Sequence, residues 1–166
     1  MQKYFHTWYV FCPRCKTSLE YDDHSTRCSS CGFVAYLNAS PGVGAIIEKD
    51  HAILLVKRKF DPHKNTWDIP GGFLNSDESF ESALHRELFE ELGVEINIVR
   101  YLGSEADEYN GRPIINTIFL CTIVSGTPVP TDDIAEIQWF DRENMPYNDI
   151  AFAYVKKIVQ SYINTS

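Results

Sequence analysis

The chain has no run of about eighteen consecutive apolar residues, the length a membrane-crossing helix needs. Its aromatic start, "MQKYFHTWYVF", is broken by His6 and Thr7, and no small-residue cleavage site follows. The sequence therefore predicts no signal peptide and no membrane partner, and points to the cytoplasm. It also lacks a basic surplus. Fifteen Lys and Arg stand against 23 Asp and Glu, a net charge of −8. Phosphate attraction supplies most non-specific nucleic-acid affinity, so this balance argues against a nucleic-acid partner. Internal repeats and low-complexity tracts are missing as well. What is present is ordinary globular composition, 44% hydrophobic over 166 residues, enough for one good core and a small appendage.

Four of the five cysteines form two pairs, "CPRC" (Cys12, Cys15) and "CSSC" (Cys28, Cys31), with twelve residues between them. In a reducing compartment this pattern reads as a tetrahedral thiolate site for structural Zn²⁺, with two disulfides as the alternative. So short a segment cannot build a sufficient core alone, and a metal would staple it. Lys3, Arg14, Lys16 and Arg27 are offset by Glu20, Asp22 and Asp23, so the segment carries no nucleic-acid footprint. The fifth, Cys121, lies in an apolar run and reads as an inert buried thiol.

"LNASPG" (37–42) looks like a linker, which gives residues 1–38 as a zinc ribbon and 39–166 as the main domain. In the latter, two apolar runs around Glu48–His51 predict a β-hairpin. Residues 95–102, 114–124 and 135–140 read as strands and 125–133 as loop. A helix pattern begins near Asp149 with Ala151, Tyr154, Val155, Ile158, Val159 and Tyr162. Mixed strands with two helices predict an α/β or α+β sandwich.

The stretch "GGFLNSDESFESALHRELFEELGV" (71–94) poses the chemical question. Glycines lead into a helix that Gly93 is placed to end. At about 100° per residue, Phe80, Ala83, Leu84 and Leu88 form one apolar stripe. With Phe80 at zero, Glu87 falls at roughly −20°, Glu91 at roughly +20° and Glu90 at roughly −80°. Two carboxylates thus enter the face meant for the core, where unpaired charge is costly. Acidic residues in a first helical turn would account for Asp77 and Glu78, but not for Glu87–Glu91 at the opposite end. At ~5 Å and an effective dielectric of ~20, each like-charge pair costs about 3 kcal/mol. A hard divalent cation reverses that sign. Phe89 lies on the far side of the wheel, where packing under a loop is the one expectation for it.

Gly72, five residues, Glu78, seven residues, then Arg86-Glu87-Leu88-x-Glu90-Glu91-x-Gly93-Val94: this spacing resembles the Nudix box at every specified position. The resemblance extends over about residues 40–164. The cysteine segment resembles the zinc ribbon of a subset that includes NADH pyrophosphatases. It implies a Nudix-type α/β/α sandwich with a mixed sheet and a pyrophosphohydrolase using Mg²⁺ or Mn²⁺. The metal would be held by Glu87, Glu90, Glu91 and the carbonyl of Gly71, and Arg86 would hold a glutamate in place. Glu78 would support the loop. An acidic residue from the "DDIAEIQWF" region, Asp133 or Glu136 with Asp132 beside them, would join as ligand or base. The implied partner is a small nucleotide, a nucleoside diphosphate linked to a group X. Such pyrophosphatases often form homodimers. The "SQPWPFP"-like segment of the NADH enzymes is missing after the box, so ADP-ribose comes first, with FAD or NADH next. Hydrolysis of damaged nucleoside triphosphates and a non-catalytic nucleotide sensor are the alternatives. Of Lys57, Arg58 and Lys59, one is expected at the phosphates, and Arg58 and Tyr109 are the substrate-binding candidates. Trp67 and Tyr36 are further stacking candidates, while His63 and His85 receive no role.

Overall fold

The computed structural model describes residues 9–36 and 38–165. Lys3 and the N-terminal aromatics up to Trp8 lie outside them, as does Leu37 of the expected linker.

The two cysteine pairs build equivalent turns. In the first, the Lys16 amide donates to the Cys12 carbonyl at 2.9 Å and the Cys12 amide to Thr17 at 2.8 Å. In the second, Gly32 donates to Cys28 at 2.9 Å and Cys28 to Phe33 at 2.8 Å. Both turns close with a left-handed residue, Lys16 at φ 62° and Gly32 at φ 72°. Between and after them run β1 (Glu20–Tyr21), β2 (Ser25–Arg27) and β3 (Val34–Tyr36), one antiparallel sheet. Its core is Cys12, Leu19 and Cys28, with Tyr9, Tyr21 and Phe33 packed on them.

The expected hairpin is β4 (Ser40–Lys49) and β5 (Ala52–Arg58). β4 starts inside the stretch read as linker, because Ser40 already pairs with Ile114. The hairpin stays zipped only at Glu48–Ile53 and Lys49–Ala52. Beyond that the strands splay. Into the gap come β6 (Trp67–Asp68), paired with β5, and β7 (Gly71–Phe73), paired with β4. The Ala45 amide reaches the Pro70 carbonyl at 2.9 Å across it.

β8 (Glu95–Tyr109) and β9 (Arg112–Ser125) are longer than the apolar runs predicted. Register shifts between Ile98 and Arg100 and between Tyr101 and Gly103 break the period-two pattern, so the sequence reading stopped at residue 102. The turn is Asn110–Gly111, both at positive φ, a strong hairpin dipeptide. β10 (Ile134–Asp141) completes the seven-stranded sheet, order β10-β5-β4-β9-β8, with β4 and β9 parallel.

Strand alternation divides the core between two helices. Val43, Ala45, Ile47, Leu54 and Val56 face Ala83, Leu84, Leu88 and Leu92 of α1 (Phe80–Leu92). Ile46, Ile53 and Leu55 face Val155, Ile158, Val159 and Tyr162 of α2 (Ala153–Thr165) on the other side. The sandwich is therefore helix, mixed sheet, helix. α2 starts later than Asp149 because the Asp149 carbonyl and Ala151 amide are engaged by the Trp67 backbone, at 2.8 Å each. No helix among the described residues is long and apolar enough to cross a membrane.

Candidate active site

α1 is started by Ser79. Its hydroxyl accepts from the Ser82 amide, and the Ser82 hydroxyl accepts from the Ser79 amide, a reciprocal cap. Gly93, at φ 67°, ends the helix as expected. The first turn holds Glu81 rather than Asp77 and Glu78. Glu78 stands ahead of the cap, where the Asn75 amide donates to it at 2.8 Å. Arg86 grips it through Nε at 2.6 Å and Nη2 at 2.8 Å. Those bonds pull the Glu78 carboxyl down to about 2. Arg86 also donates to Glu87 at 2.8 Å, Glu90 at 3.0 Å and the Phe73 carbonyl at 3.0 Å. One guanidinium thus ties the loop before the helix to two of its glutamates, Glu87 and Glu90.

The glutamates divide by burial. Glu90 is exposed at the rim, Glu87 half-buried, and Glu91 only 6% exposed. Glu91 turns back under the loop and accepts from the Gly71 amide at 2.8 Å. Burial pushes its carboxyl well above the usual range, with Asp133, Glu87 and Asp68 adding repulsion. Burial raises Glu87 too, against the pull of Arg86. The glycines are needed for contact. A Cβ on Gly72 would lie 2.4 Å from Glu87 Cδ, and one on Gly71, at φ 147°, would lie 2.1 Å from the Val43 carbonyl oxygen. Phe89 does not pack under a loop. It is 62% exposed, on the helix face opposite the stripe.

Asp133 lines a cavity with Gly71 and Glu91. Glu136 does not; it pairs with Lys57 at 2.6 Å beside the Trp67 ring. Arg58 is the basic residue brought to the site. Its Nη2 donates to the Tyr109 hydroxyl at 3.2 Å and its Nε to the Pro62 carbonyl at 2.8 Å. Arg58 and Tyr109 line one cavity with Gly71 and Gly72. Lys59 donates to the Asp132 carbonyl instead. Trp67 is core, and Tyr36 is exposed on β3.

Two site residues escaped the sequence reading. Asp68 is buried and paired with Arg58 at 3.2 Å, and burial outweighs that guanidinium to push its carboxyl up to about 6. A charge set inside "WDIP", between two apolar residues, was the available signal. Asn116, buried in β9, offered none, since one amide in an apolar strand is commonplace.

The four cysteine sulfurs lie within 4.8 Å of one another, with Cys12–Cys31 and Cys15–Cys28 at 3.5 Å. Tetrahedral thiolates at about 2.3 Å from zinc stand about 3.8 Å apart, so this set fits a metal ion. Among the described residues it is the one such group that tight. At α1 the Arg86 clamp draws Glu87 and Glu90 toward itself, while Glu91 stays under the loop. The donors there are all hard oxygens, and their buried, mutually repelling charge is what a divalent cation relieves.

Comparison with known proteins gives a family match. The model of the NUDIX domain matches residues 39–159. The chain is similar to an ADP-ribose pyrophosphatase of Methanocaldococcus jannaschii, 36% identical over 130 residues, which cover 77% of this chain and 75% of that protein. It is also similar to an NAD-capped RNA hydrolase NudC of Haemophilus influenzae, 32% identical over 135 residues, 78% of this chain but 50% of that protein. The chain thus matches about half the length of that relative. Among solved structures, a MutT NUDIX hydrolase from Burkholderia pseudomallei superposes with a TM-score of 0.68 at 28% identity, covering 74% of this chain and 97% of that one. A NUDIX hydrolase from Nitrosomonas europaea shares the fold with a TM-score of 0.80 at 24% identity over 93% of this chain and 90% of that one.

Proposed function

Because this chain belongs to the NUDIX domain family, we propose that it is a divalent-metal-dependent pyrophosphohydrolase acting on a nucleoside diphosphate linked to a group X, with ADP-ribose as first substrate. The observation that carries this is Glu91, a carboxylate buried against the Gly71 amide beside Glu87, Asp68 and Asp133. A structural role would not gather so many like charges around one buried group. The ADP-ribose pyrophosphatase relative supports the substrate.

Mg²⁺ or Mn²⁺ would be held by Glu87, Glu90, Glu91 and the Gly71 carbonyl, supplying charge neutralisation at the pyrophosphate and a more acidic water. The chain's own groups do the rest. Arg86, fixed by Glu78, keeps Glu87 and Glu90 in place. Arg58, in the same cavity as Gly71 and Gly72 and bonded to Tyr109, would meet the substrate there. A positioned carboxylate, one of the glutamates or Asp133, takes the proton from the attacking water. The new bond joins water oxygen to phosphorus and the bridging P–O bond breaks. The products are a nucleoside monophosphate and phosphorylated X. Zn²⁺ on Cys12, Cys15, Cys28 and Cys31 would be structural, since four thiolates leave no position for water. The thiolate set suits a reducing compartment, which supports the cytoplasm.

The NudC relatives favour a second reading, an NAD-type dinucleotide. A panel of ADP-ribose, NADH, FAD and nucleoside triphosphates with Mg²⁺, resolved by chromatography, separates them. ADP-ribose should yield AMP and ribose 5-phosphate fastest. Binding without turnover of any member would instead make the domain a nucleotide sensor.

A further inference from the structure

Asn116 lies opposite Gly42 in the parallel β4–β9 pairing. It is 7% exposed, and it lines the cavity of about 140 Å³ that reaches Gly71 and Gly72. Its Nδ2 is buried without a hydrogen-bond partner. A buried donor left unpaired opposes folding, so the fold itself gives no reason to keep it. Its orientation is set from below: a Cβ on Gly42 would lie 2.2 Å from Asn116 Oδ1. Glycine there lets the amide seat its oxygen side on the neighbouring strand and leaves Nδ2 as the unpaired end.

The surroundings limit what can meet that donor. Arg58, Asp68 and Asp133 line the same cavity, and Arg58 is paired with Asp68 at 3.2 Å, so the trio offers no net positive charge to draw a phosphate to this end. The walls are aromatic. Tyr109 lies 5.6 Å from Phe73 and 6.1 Å from Phe152, and Phe152 lies 5.8 Å from Tyr154, all between ring centroids. A neutral flat ring with an acceptor on its edge satisfies both the aromatic faces and the amide. The pyrophosphate end belongs at α1, on the Gly71–Gly72 side.

We propose that Asn116 is a specificity residue whose Nδ2 donates a hydrogen bond to the ring edge of the substrate's nucleobase, seated in the aromatic cavity beside Tyr109 and Phe152. The inference rests on the nucleotide reading of the site.

Asn116→Leu keeps the size and removes the donor. Calorimetric titration of the full chain in Mg²⁺ with AMP, GMP, CMP, UMP and ribose 5-phosphate tests it. At least one nucleotide should bind more tightly than ribose 5-phosphate. Asn116→Leu should weaken that nucleotide about tenfold, the usual scale for one lost hydrogen bond, and leave ribose 5-phosphate unchanged. The melting temperature should hold or rise, because the orphan donor is gone, whereas a structural amide would lower it. Equal weakening of base-bearing and base-free ligands would overturn the proposal, as would four nucleotides binding no better than ribose 5-phosphate. Base-dependent binding that Asn116→Leu weakens, alongside no hydrolysis of any panel member, would strike the pyrophosphohydrolase reading and uphold this one.

Discussion

At the scale of single residues, Glu91 concentrates the tension between folding and function. Burial makes its carboxyl hold a proton to higher pH in the folded protein than in the unfolded chain. As pH rises past the ordinary glutamate value of about 4.3, the unfolded chain ionises first, and folding loses stability until the folded group ionises too. Without metal, Glu91→Gln should therefore match wild type near pH 4 and exceed it toward pH 8, by about 0.5–2 kcal/mol. Turnover should fall about 10²–10⁴-fold, the range for losing a positioned catalytic group. Stabilisation by Mg²⁺ should shrink as well. Melting curves in chelator and in Mg²⁺ at several pH values, run beside a phosphate-release assay, check all three; a variant of unchanged activity would remove the central role given to Glu91. Glu87 and Glu91 were legible because a helical wheel turns spacing into direction. Asp68 and Asn116 were not, because a strand's alternation says which face a residue takes and nothing about what waits there.

Among elements, the decisive contact is between β7 and α1. Gly72 has no left-handed backbone to excuse it, so its absent side chain serves only the approach of Glu87. Gly72→Ala should leave the melting temperature nearly unchanged, since the far end of a flexible side chain can swing aside. Turnover should drop about 10²-fold, the scale of a 1 Å misplacement. If activity survives while the fold is intact, Glu87 is not the positioned group this geometry makes it. The helix was readable from its apolar stripe and its end at Gly93, though not at its start, where Asp77 and Glu78 stand ahead of the Ser79 cap; the β4–β5 hairpin was readable from its apolar runs. The far half of β8 was not, because bulges near Val99 and Leu102 shift the facing of every later residue. The start of α2 was hidden for a different reason: its first expected residues lend their backbone to Trp67.

For the molecule as a whole, two parts differ in what holds them. The three-stranded sheet has a core of three buried residues, two of them cysteines. About one zinc per chain should be found by elemental analysis, and Cys28→Ser should abolish it. That variant should loosen residues 9–36 to proteolysis while the Mg²⁺ dependence of turnover stays as it was. Loss of all turnover with the larger sheet intact would make the ribbon part of the substrate site. The larger sheet is anchored differently. Its β4–β5 hairpin is pried open, and the segment carrying Asp68 and Gly71 fills the opening. That segment is therefore a plug as well as a wall of the proposed active site. Should it peel away, the outer stretches of β4 and β5 would present bare edges side by side, ready to pair with another chain. Faults in this loop should then surface as aggregation before any loss of helix, and hydrogen exchange at Ala45 and Val56 should quicken first.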